Sequence, residues 1–485
     1  MRLSHPYMYA RLVAGDPTYN GQFFTGVRTT GIYCLPSCKA RKPKPENVDF
    51  YPTCEAARAA GLRACRKCHP DDYARGSDPV REDMETLAAE IRENPAWFAD
   101  VPALVKRSGF GTTRFFELCR QHFHLTPAEL ILRSRLARAK VSLATTNTKL
   151  ADLAFDAGFE SLSVFHEHFR RSQGVTPAAY RALAAAGAAG FAIELPPAYP
   201  RAHLVRALGR DPVSVTERID QGVFTLVTRV DTLPVKIRLD LRSDPLVATW
   251  ELLLTPSGPQ PALGAAVHAV VGGLLGLGQE TVPFVRLAAK LGLARLTAGR
   301  EELRLSQTPT VFDGLLWSII GQQINLPFAY QLRRRLFERA GQRVSEDWYL
   351  PPTPAAVAAL DVADLLPLKF SRPKASYLIE ISRQVASGAL PLDALALQSA
   401  TRVERTLLGV RGLGPWSVNY VMMRALGFAD CVPLGDTGVG SGLQALFGLT
   451  ERPDHDATRR LMAVFSPYRS LATAHLWQLT QPAPT

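Results

Sequence analysis

Residues 410–428 read VRGLGPWSVNYVMMRALGF, and this stretch decides the fold of the larger part of the chain. Gly412 and Gly414 let the backbone bend closely, so the segment is expected to form a tight hairpin feeding a helix. The glycine amides and the helix N-terminus can then cradle a DNA phosphate. A lone G-x-G is a weak signal. Here Asp436 follows 22 residues after Gly414, in VPLGDTGV, and the helical stretch WSIIGQQIN precedes at 317–325. By itself Asp436 reads as a helix N-cap.

Working outward, PVKIRLDL alternates Val235, Ile237, Leu239 and Leu241 with Lys236, Arg238 and Asp240, the period of a half-buried strand. VFTLVTRV and VATWELLL flank it as further strands, and from about residue 262 the pattern is helical to the end. The run ALAAAGAAGF followed by LPPAYP is read as a linker near 184–200. At 485 residues the chain is too long for one ordinary core. With 47% hydrophobic and 21% charged residues it is globular rather than disordered. The formal charge of +12 suits a polyanionic partner, though a merely soluble basic protein has the same balance. The first twenty residues lack the apolar core of a signal peptide, so a cytoplasmic location is expected. AAVHAVVGGLLGLG, from residue 265, is too short and too glycine-rich for a membrane span, and no membrane partner is expected.

Near the N-terminus, FTGVRTTGIYCLPSCKARKPKPENVDFYPTCEAARAAGLRACRKCHP (24–70) holds a C-x3-C pair and, 26 residues on, a C-x2-C pair. Two close pairs can supply four thiolates tetrahedrally, so Cys34, Cys38, Cys65 and Cys68 are expected to bind one Zn2+. Cys54 fits neither pair, and Cys119 and Cys431 are expected in the core. Arg28, Thr30, Lys39 and Arg41 surround the pairs and could hold phosphates; solvated surface charge is the alternative.

Residues 101–123, VPALVKRSGFGTTRFFELCRQHF, contain a short helix, a Gly-bearing turn and a second helix. KLADLAFDAGFESLSVFHEHFRRSQG, 149–174, repeats that pattern, and LTPAEL is echoed by VTPAAY. A helix-turn-helix needs such a turn so that its second helix can enter the major groove. The recognition helices are expected at about 112–121 and 161–173, joined by a helix over about 127–145. Thr112, Thr113, Arg114 and Glu117 on the first, and Ser161, Ser163, His166 and Arg170 on the second, are the candidates to face DNA. An ordinary helical bundle with charged outer faces is the alternative.

Three resemblances follow from these motifs. The cysteine segment resembles the N-terminal domain of Ada, which implies that Cys34 accepts a methyl group from a DNA methyl phosphotriester. The duplicated unit resembles the AraC-type DNA-binding domain. The hairpin, Asp436 and WSIIGQQIN together resemble the AlkA-type glycosylases of the helix-hairpin-helix superfamily, over about 195–480. That resemblance implies that Asp436 is catalytic, that Trp416, Tyr420 and Trp477 line the pocket for a flipped base, and that Gln322 and Gln323 fill the gap left in DNA. Glycosylases that also cut the strand carry a lysine where this chain has Trp416, so a monofunctional enzyme is expected.

The expected architecture is multidomain and mainly α. It comprises a small zinc-bound α+β domain (1–78), a double helix-turn-helix domain (79–185), an antiparallel sheet subdomain (190–303) and a helix-hairpin-helix glycosylase body (304–480). The resemblances also imply double-stranded DNA, alkylated and promoter, as partner, RNA polymerase as a further partner, and a monovalent cation at the hairpin. The competing expectation is a transcription regulator whose C-terminal half only binds damaged DNA.

Overall fold

The structure is a computed structural model that describes residues 3–16, 19–38, 40–185, 187–254 and 262–480. It divides into two compact units, Met1–Leu87 and Ala88–Thr485.

The first unit is a four-stranded sheet in the order Val48–Tyr51, Phe24–Val27, Ile32–Cys34, Arg63–Ala64. Thr53 caps the helix Cys54–Ala59 by accepting from the Ala56 amide. Phe24, Tyr33, Leu35, Cys54 and Ala57 form its core. The odd thiol, Cys54, is therefore a core residue, 1% exposed. The last strand is parallel to Ile32–Cys34, pairing Tyr33 with Ala64. That pairing sets the residue after Tyr33 beside the residue after Ala64, and those residues are Cys34 and Cys65.

The second unit is larger and mostly helical. Val101–Ser108 and Thr112–Phe123 are joined by a turn in which Gly109 has φ 69°. Pro127–Thr145 opens with a capping box between Thr126 and Glu129. The repeat is Leu150–Asp156 and Leu162–Gln173, with Gly158 at φ 90° between them. A Cβ on Gly158 would lie 2.9 Å from the Ala96 backbone, so glycine is required there on two counts.

Next comes a five-stranded antiparallel sheet ordered Gly190–Ile193, Leu246–Leu252, Leu233–Asp240, Val223–Val230, Glu217–Asp220. Val235, Ile237 and Leu239 are buried and Arg238 is exposed, as the alternation requires. The stretch read as a linker contributes the edge strand Gly190–Ile193. One hydrophobic core runs from Leu143, Phe165 and Phe169 through Leu226 and Ile237 to Val271, so the second helix-turn-helix repeat and the sheet fold against each other. The apolar stretch from residue 265 belongs to the buried helix Leu263–Leu275, whose His268 Nε2 meets the Gln173 carbonyl at 2.8 Å. Among the described residues no helix is long and apolar enough to cross a membrane.

The remaining body places Ala400–Leu408 and Pro415–Arg424 on either side of the hairpin. Val311–Ile320 and Arg372–Ala386 support them, and Thr437–Phe447 and Arg469–Leu479 complete the body. Thr112–Phe123 also packs on Ala400–Leu408, where His122 Nδ1 lies 2.7 Å from Thr401 Oγ1. The Asp430 amide donates to His124 Nδ1 at 3.1 Å. The first helix-turn-helix repeat is thus bonded to the chain only six residues ahead of Asp436.

Candidate functional site

The four cysteine sulfurs predicted to gather do so, all within 4.8 Å of one another. One ion with Zn–S bonds of about 2.3 Å fits among sulfurs so spaced. Without a cation the cluster cannot hold four anions. A bond from Cys38 is the first cause pushing the Cys34 thiol up, and the bond with Cys34 is the first cause holding Cys38 down. The Leu35 amide donates to Cys68 Sγ at 3.3 Å and the Lys67 amide to Cys65 Sγ at 3.4 Å, which orients and stabilises thiolates. Sequence reasoning missed Lys42, whose Nζ donates to the Cys38 carbonyl at 2.7 Å and sets a cation beside the sulfurs. Cys34 is 8% exposed, and Cys68 is the most open of the four.

Around this centre, Thr30 and Arg41 are exposed, whereas Arg28 bonds Asp49 at 3.0 Å and the Glu46 carbonyl. Lys39 lies outside the described residues.

On the helix-turn-helix repeats, Ser163 is exposed, His166 is half-buried, and Ser161 is the N-cap that accepts from the Val164 amide. Thr112, Thr113 and Glu117 are exposed, and Arg114 pairs with Glu117 at 3.2 Å. Arg170 is engaged by Glu194 at 2.8 Å.

In the C-terminal body, Asp436 caps Thr437–Phe447, its Oδ1 accepting from the Val439 amide at 2.9 Å. The same oxygen accepts from Trp477 Nε1 at 2.9 Å, and Oδ2 accepts from Trp416 Nε1 at 3.2 Å. Two indoles and a helix N-terminus therefore fix the half-buried carboxylate. Trp416 and Tyr420 stack with centroids 5.3 Å apart. Gly438 makes the approach of Trp477 possible, since a Cβ there would lie 2.7 Å from Trp477 Cδ1.

The hairpin has Gly412 at φ 97° against the Tyr377 ring, and Gly414 is the N-cap of Pro415–Arg424. Gln322 donates to the Gly412 carbonyl and to Ser417 Oγ, both at 2.9 Å, so it ties its own loop to the hairpin. Gln323 stands exposed with φ 56°. Tyr330, 4.7 Å from Trp317 centroid to centroid, and Arg424, one turn beyond Tyr420, were not singled out from sequence. Only the four-residue spacing of Trp416, Tyr420 and Arg424 could have marked the last of these.

A hairpin between helices, a carboxylate at a helix start and an aromatic wall define a base-excision protein, here joined to a thiolate metal centre and a double helix-turn-helix. Residues 7–71 match the metal binding domain of Ada, 104–183 a helix-turn-helix domain, and 316–467 the HhH-GPD superfamily of base excision DNA repair proteins. A probable bifunctional transcriptional activator/DNA repair enzyme AlkA of Mycobacterium tuberculosis is 28% identical over 97% of this chain and 95% of its own length. The Bacillus subtilis DNA-3-methyladenine glycosylase is 32% identical over 42% of this chain and 68% of its own length. The AdaA activator/DNA repair enzyme of the same organism is 31% identical over 36% of this chain and 80% of its own. The fold of the C-terminal part is shared with a 3-methyladenine DNA-glycosylase of Archaeoglobus fulgidus, at 22% identity and TM-score 0.52, covering 59% of this chain and 97% of the other.

The chain belongs to the bifunctional Ada/AlkA family, an Ada-type zinc domain and AraC-type helix-turn-helix domain fused to a helix-hairpin-helix DNA glycosylase. Its four-cysteine centre is a site for one zinc ion, and DNA is its partner.

Proposed function

We propose that this protein senses and repairs alkylated DNA, working as a monofunctional glycosylase on alkylated purines of the 3-methyladenine and 7-methylguanine type. The supporting observation is Asp436, held by Trp416 and Trp477 with both oxygens committed. A duplex hides the glycosidic bond, so the nucleotide must flip out of the stack. Cleavage sends the bonding electron pair out with the base and leaves positive charge on the sugar. The fixed carboxylate stabilises that charge and orients the water whose oxygen bonds to C1′. Trp416 offers no amine for a Schiff base, so the product is an abasic site. Gly412 and Gly414 hold phosphate, and Gln323, exposed beside the hairpin loop, fills the space left by the flipped nucleotide.

The N-terminal domain is proposed to take a methyl group from a DNA methyl phosphotriester onto Cys34. Zinc in this centre keeps the sulfurs as thiolates at neutral pH. The sulfur of Cys34 bonds to the methyl carbon, the carbon–oxygen bond breaks, and the phosphodiester leaves with the electron pair. Losing one thiolate charge lessens repulsion from DNA, which turns repair into a signal for promoter binding by the helix-turn-helix pair. Arg28, Thr30, Lys39 and Arg41 would hold phosphate, and Arg114, Ser161, Ser163, His166 and Arg170 would face promoter DNA. In this reading the domains run 1–78, 79–185, 190–303 and 304–480. The protein works in the cytoplasm, with RNA polymerase as the partner of its activating role.

The deciding assay incubates the full chain with methylated duplex DNA and measures free 3-methyladenine. Release that Asp436→Asn abolishes supports the enzyme; no release favours a regulator that only binds damaged DNA. Mass spectrometry of the zinc domain checks the second activity, with a single added methyl on Cys34 expected and an unmodified Cys34 overturning it.

A further inference from the structure

The first helix-turn-helix repeat touches the base-excision body at both segments that lead into its site. Thr112–Phe123 packs on Ala400–Leu408, the helix that runs into the hairpin. There His122 is 2% exposed, and its Nδ1 lies 2.7 Å from Thr401 Oγ1. Two residues on, His124 ends the same helix with φ 57°, and its ring meets that of Phe428 edge to face, centroids 5.6 Å apart. Phe428 opens the strap of residues 428–435, which leads from the helix Pro415–Arg424 to Asp436.

Most of the bonds that hold this strap come from the body itself. The Ser470 hydroxyl donates to the Phe428 carbonyl at 2.7 Å, and the Ser470 amide to the Ala429 carbonyl at 3.0 Å. The same hydroxyl accepts from the Cys431 amide, and Asn419 Oδ1 accepts from the Val432 amide, each at 3.0 Å. The Asp430 amide differs, because its acceptor is His124 Nδ1 at 3.1 Å, 306 positions earlier in the chain. Asp430 is 7% exposed, and its carboxylate is already committed to Arg469 and Ser466. A buried amide that loses its acceptor is costly, so the strap would shift to find another. The amide can only donate, which requires a bare Nδ1 on a neutral ring. Burial supplies that state by holding the His124 imidazole down to about 4, with Arg469 and His122 acting in the same direction and Asp430 opposing. Beyond Asp430 the strap is short and internally bonded: the Leu434 amide donates to the Val432 carbonyl at 2.9 Å, and the Asp436 amide to the Pro433 carbonyl at 3.0 Å. A shift at Asp430 therefore reaches Asp436.

We propose that His124, a residue of the DNA-reading domain, is a positioning residue for base excision, fixing through the Asp430 amide the strap that carries Asp436. The inference rests on the glycosylase reading and adds a residue from outside the glycosylase body to its machinery. The first helix-turn-helix repeat is then a working part of the excision site rather than a separate module, and base release depends on its docking.

The test compares two variants of the full chain, each able to adopt the positive φ of His124. His124→Gly supplies no acceptor, whereas His124→Asn places its Oδ1 near the position of the imidazole Nδ1. Single-turnover release of 3-methyladenine is measured at saturating enzyme, beside the affinity for the same duplex and the amide exchange of the strap. In His124→Gly the saturating rate should fall by roughly ten- to a hundredfold, the scale of a small misplacement of a reacting group. Duplex affinity should stay at the wild-type value, and exchange should quicken over residues 428–436 alone. His124→Asn should restore the rate to near wild type. A wild-type rate in His124→Gly overturns the proposal and leaves the glycosylase reading standing. Equal loss in both variants also overturns it, as does exchange that quickens over the whole body, since His124 would then serve packing or folding. Release of no base by the wild-type chain overturns the glycosylase reading, and the positioning role with it.

Discussion

Trp477 donates its indole N–H to Asp436 Oδ1 at 2.9 Å, across 41 positions of sequence. A ring expected only as a wall for the flipped base is also a fastening for the carboxylate. Trp477→Phe keeps the aromatic face and removes the donor. Excision should fall by roughly ten- to a hundredfold, the usual effect of losing a partner that orients a reacting group. Single-turnover rates beside Asp436→Asn check this; a rate equal to wild type would show that the bond is incidental.

The two hairpin glycines should behave differently. Gly412→Ala combines φ 97° with a Cβ only 2.5 Å from the Tyr377 ring. It should cost on the order of 1–3 kcal/mol in stability and weaken duplex binding. At Gly414 nothing lies within 4 Å of an added Cβ, and φ is −91°. Gly414→Ala should therefore leave thermal stability intact and affect only DNA affinity, which melting curves and binding isotherms will separate.

Metal analysis should find one zinc per chain, and a chelator should remove it with loss of folded structure in the N-terminal unit. Structural zinc sites are worth on the order of 10 kcal/mol, far more than the small core of Phe24, Tyr33, Leu35 and Ala57 can replace. Cys38→Ser should do the same without a chelator. Circular dichroism of the metal-free chain that matches the loaded one would refute this.

His268 and His475 are 1% and 0% exposed, and burial pushes them down to about 4 and about 3. Each donates one ring N–H to a carbonyl, of Gln173 and of Leu296, and is neutral in the fold. The unfolded chain binds protons at these positions below about pH 6.5, where the folded chain does not. Stability should therefore fall as the pH drops from about 6.5 towards 4. Replacing either histidine with glutamine should flatten that slope in melting experiments.

Arg469 bonds both oxygens of Asp430, with the closest contact at 2.7 Å. Burial works against the charge on Asp430, but the bonds from Arg469 outweigh it and hold the carboxyl below its usual range. Arg469→Met leaves that buried carboxylate without its cation and should cost about 3–5 kcal/mol. Asp430's contribution is present above the unfolded carboxylate range near pH 4 and is lost as the pH falls through the lower folded value. The mutant should therefore show a weaker dependence of melting temperature on pH below about 4. An unchanged acid limb would contradict the assignment.

Much of this protein is legible in its residues. The C-x3-C and C-x2-C pairs name the zinc ligands, because metal geometry limits which spacings can converge. The repeated helix, glycine turn and helix, and the alternation around Ile237, reflect backbone periods that are local. Asp436 as the start of a helix is likewise a local property.

Contacts between distant segments were beyond that reach. Sequence placed a linker near 184–200, whereas residues 190–193 form an edge strand whose partner lies more than fifty residues on. The separate helix-turn-helix and sheet units proved to share one core. Gln322 carries nothing to show that it ties its loop to Gly412, nor Trp477 that it fastens Asp436, because both bonds depend on packing across the body. Sequence by itself determined the elements, the zinc ligands and the helix start at Asp436, since short-range sterics and coordination chemistry fix those. Only tertiary structure decided what holds the Asp436 carboxylate, since the indoles of Trp416 and Trp477 reach it from positions far apart in the chain.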